Sequence, residues 1–320
     1  MSTHPAPPFD HELDRVLVAL AGTVPPTITP SMIGHFRAIP ADPTVGGSVD
    51  ELGVIHDQRT IAGYAGGDIV VSIFHAPGQS APGPGILYLH GGGMVFGNRF
   101  GGVAPYLPFI ASHGAVVVAV EYRLAPEHPD PIPVEDCFAA LSWLAAAAQA
   151  LGIDPHRVII AGQSAGAGLA AGITLLARDR GGPEVAAQVL VSPMLDDRNA
   201  TISAHQIDGI GVWDRESNIT GWTALLGDRR GGDQVSAASA PGRTSDLAGL
   251  PPAFISAGSA EVFRDEAVAY ASRIWACGGS AELHVWPGGF HGFENFAPGA
   301  RISLAAATAR DGWLTRLLEG

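Results

Sequence analysis

The chain has 320 residues, 47% hydrophobic and 15% charged, with a formal net charge of −13. That is enough apolar chain for a sizeable buried core, and the composition excludes an intrinsically disordered protein. An acidic balance with no run of basic residues also lacks the electrostatic footprint of a nucleic-acid binder.

All 18 basic residues are arginines, which removes Schiff-base lysines, Ser-Lys dyads and the phosphate-loop lysine from consideration. Cys137 and Cys277 form no C-x-x-C, and so sparse a pair suits a reduced interior better than a disulfide framework. The opening MSTHPAPPFDHELDR has no basic-then-apolar leader pattern. The apolar stretch FAALSWLAAAAQAL falls short of the ~20 residues that span a bilayer. These features predict a cytoplasmic chain with no membrane partner.

Residues 1–45 show no strand periodicity. GDIVVSIFHAP (67–77) alternates as an edge or antiparallel strand does. The runs at 85–90, 114–122, 157–162, 186–193, 251–258 and 281–288 are near-continuously hydrophobic, as strands buried on both faces must be. Helical patterns fall between them at Val134–Leu151, Ser164–Arg180, Asp265–Cys277 and Ile302–Leu318. The alternation predicts an α/β fold, a mostly parallel central sheet with helices on both faces and functional loops at the carboxyl ends of the strands. Residues 195–248 break the rhythm as 1–45 do. Both are expected to form a cap over a core made of 46–194 and 249–320.

IIAGQSAGAGLAAG (159–172) contains two overlapping motifs. From Gly166 it reads G-x-G-x-x-A, a dinucleotide cradle. That motif must open directly after its strand, whereas Gly166 and Gly168 come four and six residues after the strand end at Gly162 and fall inside the predicted helix. From Gly162 it reads G-x-S-x-G, which places Ser164 on a tight strand-to-helix turn with its hydroxyl exposed. The motif alone is weak. Support comes from His90-Gly91-Gly92-Gly93, which follows a strong strand and can aim backbone N–H groups at a developing oxyanion. His291, in PGGFHGFENF after the last strand, can serve as the base for Ser164. The histidines show no metal-ligand spacing, so no metal site is expected.

HGGG, VEYRLAPEHPDPIPVEDC, GQSAGAG, PMLDD and PGGFHGF together resemble the bacterial hormone-sensitive-lipase-like (HGGG, family IV) carboxylesterases of the α/β-hydrolase superfamily, close in flavour to heroin-esterase-like enzymes. The resemblance runs from about residue 50 to the end. It implies Ser164 as nucleophile, His291 as base, and the N–H groups of Gly91, Gly92 and Ala165 as the oxyanion hole. It also implies a small closed pocket, a short-chain acyl ester as the small-molecule substrate and no cofactor; a homodimer is compatible with it. The sequence departs from the family twice. Gln163 stands where many relatives have Asp, and the box that usually begins with the triad Asp begins here with Glu261. Glu261 lies three residues past the strand end at Gly258, where a triad acid belongs, while Asp265 and Glu266 suit the positive end of the next helix.

His90 and Gly93 are expected to support the glycine loop, and Arg123 and Glu127 to form an ion pair beneath it. Asp196 and Asp197 are expected to fix the corner into the cap. Met94, Phe96, Trp213, Trp222 and Phe293 read equally well as pocket lining or as core. A lactone is an alternative substrate for the same constellation. A small-molecule-binding relative without catalysis is the reading from another class.

Overall fold

The computed structural model describes residues 4–79 and 81–320. Its strands are β1 (Ile55–Ala62), β2 (Asp68–His75), β3 (Gly83–Leu89), β4 (Val116–Glu121), β5 (Ile153–Gln163), β6 (Ala187–Val191), β7 (Ala253–Gly258) and β8 (Ala281–Trp286). They join in one sheet in the order β1-β2-β4-β3-β5-β6-β7-β8. The β1–β2 and β2–β4 pairs are antiparallel, and every pair from β4 to β8 is parallel.

The helices are α1 (His11–Leu20), α2 (Ile33–Arg37), α3 (Ser48–Glu51), α4 (Pro108–His113), α5 (Ile132–Leu151), α6 (Ala165–Arg180), α7 (Ile202–Gln206), α8 (Arg215–Leu226), α9 (Arg264–Ala276), α10 (Phe293–Phe296) and α11 (Arg301–Glu319). Successive strand residues feed opposite faces of the sheet, so one hydrophobic run builds two cores. Leu87, Leu89, Val118 and Val120 pack with α5, α6 and α9. Ile86, Tyr88, Val117 and Ala119 pack with α4 and α11.

Two differences from the sequence reading have clear causes. β1 carries the polar run His56-Asp57-Gln58-Arg59, and Ile61 is its one buried residue. As an edge strand it is specified by an eight-residue backbone ladder to β2 rather than by a hydrophobic run. β5 starts at Ile153, four residues before the apolar run, because Ile153 pairs with Gly83. Gly166 and Gly168 do lie inside α6.

Residues 4–45 and 195–248 lie against the core rather than forming a separate body. Ile28 and Ile33 join the cluster that holds α5 and α6, and Leu13 of α1 packs with Val212, Phe290 and Phe293. Asp214, fully buried, accepts from Thr27 Oγ1 at 2.5 Å and so ties the first segment to the second. Among the described residues no helix is long and apolar enough to cross a membrane.

Candidate active site

Ser164 occupies the corner between β5 and α6 with φ 57° and ψ −123°. A non-glycine residue reaches that region only when its surroundings over-determine it. Here the Ser164 N–H donates to Val191 O at 2.8 Å, and Ser164 O accepts from Met194 N at 3.1 Å. A Cβ on Gly162 would lie 2.3 Å from Gly166 O, and one on Gly166 would lie 2.0 Å from Leu89 O. The turn can therefore close only with glycine on both sides of the serine.

His291 is carried by the loop after β8. The ring rests edge-on to Phe263, with centroids 5.0 Å apart. Asp10 N donates to Gly288 O at 3.0 Å, so α1 anchors the loop on one side. Phe290 and Phe293 are buried around it. Nε2 of His291 lies 3.0 Å from Ser164 Oγ.

Glu261 is fully buried, and its Oε2 lies 3.7 Å from His291 Nδ1. That oxygen accepts a hydrogen bond from Ser192 Oγ at 2.9 Å. Among the described residues neither Glu261 Oε1 nor His291 Nδ1 has a hydrogen-bond partner. Ser192 itself has a positive φ of 48° at the end of β6. Sequence reasoning missed it because a lone serine after a strand carries no signal.

The neighbouring acids are occupied elsewhere. Asp265 pairs with Arg264 at 2.7 Å and accepts from Ser203 N at 2.7 Å. Glu266 sits in the first turn of α9, but it is buried rather than a solvated helix-terminal charge, and it accepts from Leu195 N at 3.1 Å. Burial pushes its carboxyl well above the usual carboxylate range. Folding then favours the protonated acid. Its stabilising contribution is present below the unfolded-state pKa and is lost as pH rises toward the folded-state value. Glu266→Gln is therefore expected to raise Tm at pH 8 and to match the parent near pH 4. Thermal unfolding at the two pH values checks this; a lower Tm at pH 8 would show that the ionised form is the one the fold needs.

The glycine loop abuts the serine, and a Cβ on Gly91 would lie 3.2 Å from Ser164 Cβ. Gly92 has φ 118°, and its carbonyl accepts from the N–H groups of Val95 and Phe96. Gly93 packs against the Trp213 indole, which a Cβ would approach to 2.1 Å. His90 lies buried beneath the loop, stacked on Tyr122 with centroids 4.3 Å apart, and its Nδ1 donates to Gly91 O at 2.7 Å. Burial lowers its pKa, which favours the neutral imidazole.

The expected Arg123–Glu127 pair does not form. Arg123 is taken by Asp136, a fully buried acid of α5 whose carboxylate needs donors. Glu127 faces α2 instead, where Arg37 grips it at 2.8 and 2.9 Å. Arg37 also donates to Val95 O at 2.7 Å and to Ala125 O at 2.6 Å. Phe36 stacks on Phe96 with centroids 4.9 Å apart. An aperiodic leading segment thus holds the glycine loop, which its sequence gave no means of anticipating. Asp196 pairs with Arg198 and Asp197 with Arg243 in the segment after β6.

A cleft of roughly 810 Å³ opens over Ser164 and His291, lined by both aperiodic segments and by Gly91, Gly92 and Gly93. Phe96 and Trp213 line it. Met94, Trp222 and Phe293 do not; each is at most 2% exposed and packs in the core, Trp222 from the buried side of α8 and Phe293 from the start of α10. The cleft is also larger than the small closed pocket that the family resemblance implies and has the size of sites for drug-sized ligands. Among the described residues, no three His, Cys, Asp or Glu side chains cluster as metal ligands would.

Known proteins match this chain over most of its length. The sequence profile of the alpha/beta hydrolase fold family matches residues 86–295. Carboxylesterase NlhH of Mycobacterium tuberculosis is 35% identical over 298 residues, covering 89% of this chain and 90% of that protein. An acetyl-hydrolase of Streptomyces hygroscopicus is 32% identical, covering 80% of this chain and 86% of its own length. Among solved structures, a bacterial heroin esterase superposes with a TM-score of 0.86 at 36% identity, covering 97% of this chain and 98% of that one. The chain belongs to the alpha/beta-hydrolase fold family, among its hormone-sensitive-lipase-like carboxylesterases, and is a serine carboxylic-ester hydrolase.

Proposed function

We propose that the protein hydrolyses esters of short acyl groups through an acyl-enzyme on Ser164, with residues 4–45 and 195–248 closing over the cleft as a cap; the first three residues of the expected cap lie outside the described residues. Ser164 Oγ attacks the ester carbonyl while His291 Nε2 takes its proton, and the N–H groups of Gly91, Gly92 and Ala165 receive the oxyanion. His291 then protonates the leaving alcohol, and water hydrolyses the acyl-enzyme. Glu261 stabilises the imidazolium that forms in each half. The observation that carries this reading is the 3.0 Å approach of His291 Nε2 to Ser164 Oγ at a positive-φ elbow.

Support for the short acyl group comes from family membership and from the acetyl-hydrolase relative. The remaining room in the cleft is assigned to the alcohol half. The test is a series of p-nitrophenyl esters alongside labelling with a fluorophosphonate. The probe is expected to modify Ser164, and kcat/KM to be greatest for acyl chains of about two to six carbons, since each added methylene changes discrimination where the pocket ends. Faster turnover of the dodecanoyl than of the butyryl ester would overturn the acyl assignment, and labelling elsewhere would overturn the nucleophile.

A further inference from the structure

A second cavity of about 150 Å³ lies beside the catalytic cleft. Gly102, Pro105, Gln163, Glu294, Asn295 and Pro298 line both spaces and form the wall between them. Within that wall Asn295 Nδ2 donates to Gln163 Oε1 at 2.8 Å. Gln163 directly precedes Ser164, and Asn295 follows His291 by four residues. The partition is thus built from the immediate neighbours of the proposed nucleophile and base.

The two spaces differ in chemistry. Away from the catalytic groups and the shared wall, the cleft has broad apolar faces at Ile28, Phe36, Phe96, Phe100, Val212 and Trp213. The smaller cavity is walled by Tyr88, Tyr106, Ser303 and Arg310 as well as the shared amides. Ser303 is buried, and its hydroxyl has no partner among the described residues. Arg310 is shared between Glu294 at 3.0 Å and Asp311 at 2.9 Å. Two carboxylates on one guanidinium leave no spare positive charge for an acid product. A site of this volume, with a free hydroxyl and no unpaired cation among the described residues, suits several waters or one short alcohol.

We propose that this cavity binds the hydroxyl nucleophile of the second half-reaction, water or a short-chain alcohol, and delivers it past Gln163 and Asn295 to the acyl-enzyme. The proposal rests on the acyl-enzyme mechanism above. The hydroxyl oxygen adds to the acyl carbonyl as its proton passes to His291 Nε2. The tetrahedral intermediate then expels Ser164 Oγ, which recovers that proton. Water yields the free acid, and an alcohol yields a new ester.

Ala307 lines the cavity from α11, so Ala307→Leu fills it with a side chain that helices accept nearly as well. The experiment mixes the enzyme rapidly with p-nitrophenyl butyrate and follows both the p-nitrophenol burst and, by intact mass, the decay of the butyryl adduct. In Ala307→Leu the burst rate is expected to be unchanged while adduct decay slows several-fold, so kcat and KM fall together. Asn295→Ala removes the bond across the wall and is expected to favour transfer of the acyl group to 1-butanol over methanol. Added methanol separates the two sources. Acceleration of decay that is lost in Ala307→Leu assigns the cavity to alcohols as well as water, and equal acceleration in both proteins restricts it to water. Parental decay rates in Ala307→Leu together with a parental alcohol ratio in Asn295→Ala overturn the proposal. Absence of any adduct on Ser164 in the parent overturns the acyl-enzyme mechanism itself, and this proposal with it.

Discussion

Ser164→Ala is expected to lower kcat for p-nitrophenyl butyrate by about 10⁴- to 10⁶-fold, the usual cost of removing a triad nucleophile. Among the described residues the Ser164 hydroxyl meets the His291 ring and no other side chain. Its loss therefore removes the nucleophile without leaving a buried donor stranded in the core. The elbow is fixed by its backbone bonds to Val191 and Met194, which alanine keeps. Ser164→Gly separates chemistry from strain. It should be equally inactive but melt higher than Ser164→Ala, because a non-glycine residue at φ 57° costs on the order of 1–3 kcal/mol that glycine escapes. Ester turnover and thermal unfolding of both variants check the pair. Retention of more than a tenth of parental activity in Ser164→Ala would remove Ser164 from the mechanism.

The parallel half of the sheet was legible because physics writes it twice. Strands β3, β6 and β7 are buried on both faces, so their hydrophobic runs admit no other reading. The elbow was legible because the close approach of Gly162, Gly166 and Leu89 O leaves glycine as the one residue that fits. What the sequence hid depends on partners far apart in the chain. Arg37 reaches the glycine loop across the N-terminal segment, and Asp136 outcompetes Glu127 for Arg123 through its burial. Ser192 meets Glu261 from another strand end. Hydrophobic periodicity reports which face of an element is buried, but it does not report which of several acids a cation will find. The same limit explains the aromatic residues. Phe96 and Trp213, on segments without a period, line the cleft, while Trp222 lies on the buried side of α8 and Phe293 is buried at the start of α10.

Glu261→Ala is expected to lose at least about 10²-fold in kcat, within the range seen when a triad acid is removed. Glu261 is the carboxylate facing His291 Nδ1, although at 3.7 Å it is not hydrogen-bonded to it. Catalytic hydrogen bonds are commonly long before substrate binds and tighten as charge develops. Closure to ~2.7–2.9 Å requires a shift of about 1 Å once the imidazole becomes positive. Both groups are ready for it, since among the described residues buried Nδ1 and Oε1 have no partner. Ser192 holds the carboxylate from the other side at 2.9 Å and acts as a positioning residue. Ser192→Ala should therefore lower kcat several-fold at constant KM, and Ser192→Thr should restore it by returning the hydroxyl. Glu261→Asp withdraws the carboxylate by one methylene, so it should recover part of the activity only as far as the loop after β7 can follow. Asp265→Ala, which frees Arg264 and the Ser203 N–H, should chiefly lower Tm. The decisive comparison is kcat for p-nitrophenyl butyrate in Glu261→Ala and Asp265→Ala side by side. An inactive Asp265→Ala with an active Glu261→Ala would move the acid onto α9 and dissolve the role given to Ser192.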